Sequence, residues 1–267
     1  MSMKKKRSKN FILGAVITGF MMALVLIGCV WTPYDPEAMD KASKLAGVSV
    51  SHIMGCDDFG RDIFSRVLKG SGTTLVVALG TVGIGTFFGI VLGALCGYYG
   101  GILDEVLMRI IDAVFAFPNI LLALVFIGLL GPGKNNVIIA LGIAFIPGFA
   151  RIVRSEFIRC RNMDYVKSAR LSGAGDLRIM FVHILPNTVP VLLSAIMIGF
   201  NNAVLSEAGM SYLGIGVQPP DPSLGCMLSE AQTYLFSSPG YAIFPGLVII
   251  FMVLGFSLLA EGIKENN

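Results

Sequence analysis

Charge is what this sequence has least of. Only 14% of its 267 residues are charged, against about a quarter in a soluble domain. With 55% of residues hydrophobic, that shortage excludes an ordinary soluble fold and leaves an integral membrane protein. Histidine is nearly missing. His52 and His183 are the only two, far apart in the chain, so no histidine-based metal site or nucleophile–base pair can be assembled from them. The five cysteines, Cys29, Cys56, Cys96, Cys160 and Cys226, show no C-x-x-C spacing and read as isolated thiols. A net charge of +3 is too small to argue for a nucleic-acid partner, and the basic residues gather by membrane side rather than among aromatics.

What is present is a series of long uncharged runs, and these predict an all-α integral membrane fold with six transmembrane helices. Residues 1–31 form a basic tail with Lys4, Lys5, Lys6, Arg7 and Lys9, followed by a run from Phe11 to Trp31 long enough to cross a bilayer, which takes about 20 apolar residues. Leu26-Ile27-Gly28-Cys29 resembles a lipoprotein lipobox, but the apolar run continues through Val30 and Trp31, so a retained span is expected. Residues 32–70 read as an external loop, with Pro33, Asp35 and Pro36 in it and a short amphipathic helix over Ile63–Lys69. Residues 71–262 read as a core of five further spans: Ser71–Leu103; Ala113–Leu130, with Pro118 near its start; Asn135–Ala150, interrupted by Pro147; Asn187–Ser206; and Tyr241–Ala260. Asp104, Glu105, Arg109 and Asp112 make a short polar stretch before the third span. Gly85, Gly89, Gly93 and Gly97 recur every fourth residue, which lets a second helix approach closely.

Two local patterns suggest chemistry and are set aside. Gly128–Lys134 fits the first seven positions of a phosphate-binding loop, but the eighth is Asn135, no strand precedes it and Pro132 removes a backbone donor. It reads as a turn between membrane helices, so the chain has no visible means of hydrolysing ATP and no bound cofactor is expected. Asp57, Asp58 and Asp62 could suggest a cation site but lack the ordered spacing of a calcium loop. A structural corner tied by Asp–Arg contacts is expected instead.

The main polar interruption is the segment 151–187, and within it Asp164–Pro186. Tyr165–Leu171 fits two turns of helix, Gly173 and Gly175 fit its end, and Asp176 fits the cap of a second helix. Leu177, Met180, Phe181 and Ile184 would give that second helix one apolar face, with Pro186 breaking it. This pattern suits docking into a groove on another protein, and equally an ordinary solvated loop. With six spans, fourteen of the 20 basic residues fall on the side of this loop and of both termini, which places that side in the cytoplasm. An impermeant maleimide is then expected to reach Cys56 and Cys226 from outside but not Cys160. Within the fifth span Ser194 and Asn201 share a face, with Asn202 adjacent and Glu207 at the outer end. Polar atoms there should face protein or water, either lining a translocation cavity or bonding helix to helix.

Three stretches carry a resemblance to a known family. Lys167-Ser168-Ala169, Gly173 and His183-Ile184-Leu185-Pro186 resemble the "EAA" loop of permease subunits in binding-protein-dependent ABC importers, with Lys167 where that pattern has glutamate. Gly55-Cys56-Asp57-Asp58-Phe59-Gly60-Arg61-Asp62-Ile63-Phe64-Ser65-Arg66 resembles the G-T-D-x-x-G-R-D-x-x-S-R signature of the peptide and nickel permeases. Glu207–Pro220 resembles their E-A-x-L-S-F-L-G-L-G-x-x-P-P stretch. The resemblance implies a type I importer permease core in a bacterial inner membrane. It also implies a second homologous permease, two ATPase subunits that use ATP and magnesium, and an external solute-binding protein as partners. Coupling to the ATPases would fall to Lys167, Ser168, Ala169, Gly173, His183, Leu185 and Pro186, and the transport path to Ser194, Asn201, Asn202 and Glu207. Nickel or a di- or oligopeptide is the implied substrate, with Ser168–Gly175 and Ala208–Ser211 closer to the nickel members. A non-transporting scaffold or receptor that keeps the docking loop is the alternative, and a membrane-embedded enzyme lacks paired catalytic groups.

Overall fold

The computed structural model describes residues 9–266, with side chains through Lys264; Lys4, Lys5, Lys6 and Arg7 lie outside the described residues. Helix α1 (Lys9–Val30) is followed by an irregular segment and then by α2 (Ile63–Tyr99), α3 (Gly101–Phe115), α4 (Asn119–Leu130) and α5 (Lys134–Arg161). Then come α6 (Asp164–Leu171), α7 (Asp176–Arg178), a π-helical turn (Ile179–Ile184), α8 (Leu185–Tyr212), α9 (Leu224–Ala231) and α10 (Gly240–Asn266). Among the described residues five helices are long and apolar enough to cross a membrane, six if α3 and α4 together count as one bent crossing.

The centre is the pair α2 and α5, and the glycine stripe explains it. A Cβ at Gly85 would lie 2.9 Å from the Phe145 Cβ and one at Gly97 2.6 Å from the Phe157 Cβ, with Gly89 and Gly93 closer still to Phe149 and Ala150. Without side chains at these four positions the two helix axes approach until backbone and large aromatics interlock, burying Phe145, Phe149, Val153 and Phe157. Helix α1 packs along α10: a Cβ at Gly14 would meet the Leu259 backbone at 2.6 Å and one at Gly262 would meet Phe11 at 2.6 Å. Gly28 lies equally close to the Leu68 carbonyl, so the lipobox-like glycine serves helix packing.

Several expectations change. Ile63–Lys69 is no separate helix but the first turns of α2, which at 37 residues is about 55 Å long and projects well beyond a bilayer. The polar stretch at Asp104–Asp112 is helical, the hydrophilic side of α3. The third span is not straight: α3 and α4 meet at 88°, because Pro118 has no amide proton and holds Phe117 away from helical geometry. Pro147 does not interrupt α5, which runs on to Arg161. Nor does Pro186 break its helix; the chain from Asp176 to Tyr212 is continuously helical, because the π-type turn before it widens the register where the proline lacks a donor.

The two ends of the bundle differ in what closes them. At one end the segment 32–62 folds over the start of α2 and joins the loops near α9. At the other, the ends of α2 and α5 meet α6 and α7. The termini of the described chain, at the start of α1 and the end of α10, fall at this second end.

Candidate functional site: coupling loop and membrane cavity

Helix α6 is stopped by a glycine whose geometry only glycine adopts cheaply. Gly173 has φ +82°, its N–H donates to the Arg170 carbonyl at 3.0 Å, and the Ala174 N–H donates to the Ala169 carbonyl at 3.1 Å. This pair of bonds closes the last turn as a Schellman motif. Gly175, expected to share that role, has an extended backbone and precedes α7. Asp176 likewise makes no cap; its carboxylate accepts from the Tyr98 hydroxyl at 2.6 Å, and Arg170 donates to the same hydroxyl at 3.1 Å. Tyr98, at the end of α2, is thereby the anchor of the loop. Arg161 donates to the Gly97 carbonyl at 3.1 Å and so covers the C-terminal end of α2.

The apolar face of the second helix is rotated from expectation. Ile179, Met180 and Ile184 are buried, while Leu177 and Phe181 are exposed together with Leu171 and Val182. The π turn adds a residue to the repeat, so the face projected at α-helical spacing ends elsewhere. Of the residues implied to couple, Lys167 is exposed and pairs with Asp164 at 3.0 Å. Ser168 is also exposed and its carbonyl accepts from the Ser172 hydroxyl at 2.9 Å. Ala169 is partly buried against the core, and Leu185 packs beside it. The His183 carbonyl accepts from Asn187 at 2.7 Å, a bond that sits beside Pro186 at the start of α8.

Above the loop, two adjoining cavities of about 430 Å³ and about 220 Å³ lie along α5 and α8 and share Ile152, Ala195 and Ile198. The larger is lined by Pro190, Val191 and Ser194, with Lys264 at its rim. The smaller is lined by Phe115, Asn119, Phe145, Phe149, Gly199 and Asn202. Of the four polar residues singled out in this span, Ser194 and Asn202 line a cavity. Asn201 and Glu207 do not. Asn201 donates to the Ser257 hydroxyl of α10 at 3.1 Å. Glu207 is fully buried, accepting from Thr74 at 2.8 Å and Ser211 at 2.7 Å. A residue advances about 100° around a helix, so Asn201 and Asn202 necessarily face different neighbours.

The floor of the smaller cavity is the α3–α4 elbow. Arg151 pairs with Asp112 at 2.6 Å and stacks 4.0 Å from the Phe115 ring. One turn away Arg154 holds Asp104 through two bonds, 2.5 and 2.7 Å. None of this was foreseen beyond the presence of the charges; the signal was four acidic and basic residues at helical spacing next to a proline.

The opposite end carries a network that the sequence did suggest. Asp57 is fully buried, accepts from the Arg61 guanidinium at 2.6 Å and pairs with Arg66. Both arginines also reach Glu230, at 3.1 and 2.8 Å, and the Tyr241 hydroxyl donates to Glu230 at 2.7 Å. Asp62 caps α2 through the Ser65 N–H at 2.8 Å and pairs with His52 at 2.8 Å. Burial raises Asp58 above the usual carboxylate range. Cys56 is fully buried in this corner, and burial pushes its thiol up to about 11; the expectation that an impermeant maleimide reaches it is therefore corrected.

Residues 89–266, the stretch that holds the coupling loop, both cavities and the elbow, match the family of binding-protein-dependent transport system inner membrane components. The chain belongs to this family. Along nearly its whole length it is similar to curated permeases. It is 40% identical to the glutathione transport system permease protein GsiD of Pectobacterium atrosepticum, over 94% of this chain and 85% of that one. It is 35% identical to the dipeptide transport system permease protein DppC of Haemophilus influenzae, over 97% and 90%. In fold it is similar to a chain of the inward-facing MetNI methionine ABC transporter, with TM-score 0.62 and 18% identity over 76% of this chain and 96% of that one. This multi-pass membrane protein is accordingly a permease subunit of an ABC importer.

Proposed function

We propose that the chain passes di- or short oligopeptides into the cytoplasm as one of two permease subunits, driven by two separate ATPase subunits that dock on α6 and the turns after it. The observation that carries this reading is mechanical. The loop interrupts two rods, α5 and the helix from Asp176 to Tyr212, and these same rods supply Ile152, Pro190, Ser194, Ala195 and Ile198 to the cavities. A shift of the loop is a shift of the cavity walls. The exposed Leu171, Leu177 and Phe181 offer an apolar surface to an ATPase groove, with Lys167 beside them in place of the usual acid. In this reading the loop and both termini face the cytoplasm, ATP and magnesium belong to the ATPases, this chain holds no cofactor, and an external solute-binding protein delivers substrate to the end that carries Asp57 and Glu230.

Peptide is favoured over nickel by the cavity linings, which among the described residues include no imidazole, thiol or carboxylate, and by the names of the two relatives. Nickel is the second reading, supported by the motif spelling at Ser168–Gly175. Uptake of radiolabelled dipeptide, glutathione and nickel, the metal with and without free histidine as chelator, in a strain lacking the gene and in its complemented parent tests both. Loss of peptide uptake alone supports the proposal, and loss of nickel uptake alone replaces it. Purification of the chain with a partner permease but no ATPase would point to a scaffold or receptor instead.

A further inference from the structure

We infer that Asn119 and Asn202 act as an amide pair that reads the peptide bond of the transported solute as it passes the smaller cavity; this rests on the peptide reading above. Both side chains are exposed within the chain, both line this one cavity of about 220 Å³, and neither has a hydrogen-bond partner among the described residues. Their positions make that unusual. Asn202 lies ten residues from the end of α8, about 15 Å below its tip, inside a helix long and apolar enough to cross a membrane. An unpaired amide facing lipid there would be costly, so it faces protein or water.

The rest of the wall narrows the choice. Phe115, Phe145, Phe149 and Ile152 are apolar, and among the described residues no charged side chain lines this cavity and the two amides are its only side-chain hydrogen-bonding groups. Each offers a donor N–H and an acceptor carbonyl, the same pair that a peptide bond presents in reverse. A bare divalent cation would find only two neutral amide oxygens and no carboxylate, thiol or imidazole there, and a sugar would leave several hydroxyls unmatched. Asn119 starts α4 directly after the elbow, while Asn202 sits on α8. A motion of either helix therefore changes the spacing of the pair, so their grip on a peptide bond varies through the transport cycle.

The test uses the whole importer in proteoliposomes with saturating binding protein preloaded with dialanine, or with its analogue in which an ester oxygen replaces the peptide N–H. Uptake is counted per ATP hydrolysed, so that selection by the binding protein is removed. Wild type should favour the amide over the ester by about tenfold, the loss expected for one hydrogen bond. The Asn119→Leu/Asn202→Leu double variant should carry both at the same low efficiency, and Asn202→Gln, which retains an amide, should keep the preference. Equal transport of amide and ester by wild type, or an unchanged preference in the double variant, overturns the inference while leaving the peptide reading in place. A wild type that carries neither compound nor labelled glutathione removes the peptide reading, and the amide pair falls with it.

Discussion

The two ends of the bundle are built to opposite rules. At the end with Asp57, Arg61, Arg66 and Glu230, charges are largely buried and shared, so removing any one leaves the cluster with an uncompensated charge. At the end with the coupling loop, charges such as Lys167 and Asp164 are exposed and paired loosely, and the loop is held to the bundle through Tyr98. Buried pairs resist displacement because desolvated charges have no alternative partner; exposed pairs exchange with water at little cost. One end is fixed by its buried charges, and the other is held to the bundle mainly through the Tyr98 contacts.

The largest effect should come from the fixed end. Arg66→Met leaves Asp57 and Glu230 to share Arg61 alone, one buried negative charge uncompensated, a loss of up to about 3–5 kcal/mol, and should appear as a large fall in melting temperature and in protein recovered from the membrane. An unchanged melting temperature would mean the network is not buried as described. At the free end, Gly173→Arg should leave insertion intact and lower melting by only a few degrees, since no atom lies within 4 Å of an added Cβ. Its cost is local strain of about 1–2 kcal/mol, together with a bulky cation on the docking surface, and uptake should drop to background. Normal uptake in this variant would take the loop out of the mechanism.

Smaller still is the elbow. Asp112→Asn removes an exposed ion pair worth about 0.2–1 kcal/mol, so stability should hold while uptake per ATP falls by up to about fivefold; a melting shift without a coupling defect would make the pair merely structural. The mildest test is chemical. Impermeant maleimide should label the exposed Cys29 in the folded protein and leave Cys56 unreacted until denaturation. Because the Cys56 thiol lies at about 11 rather than 9.0, its contribution to stability is complete below pH 9 and is lost as pH rises towards 11. Ready labelling of Cys56 at pH 7 would show the corner to be open.

Much of this difference was legible beforehand. The motif around Gly55–Arg66 announced a tied corner, the stripe Gly85–Gly97 announced a close helix pair, and Gly173 announced the end of α6. Glu230 and Tyr241, which complete the corner, carried no signal, since they lie more than 160 residues from Asp57 and only folding brings them together. The cavity was half legible: Ser194 and Asn202 stood out as polar residues in an apolar run, whereas Asn119 lay unremarked inside the expected third span.

By itself the sequence determined that this chain lives in a membrane, that its long apolar runs are helical and which family it belongs to. Those properties follow from hydropathy added along the chain and from short motifs, and neither needs to know which way a side chain points. Only the tertiary structure decided that the third crossing is bent at Pro118, that the helix runs unbroken through Pro186, and that Asn202 meets a cavity while Asn201 meets Ser257. The reason is angular: with about 100° of rotation per residue, one π turn or one proline bend redirects every side chain beyond it, and no sum over residues records that rotation.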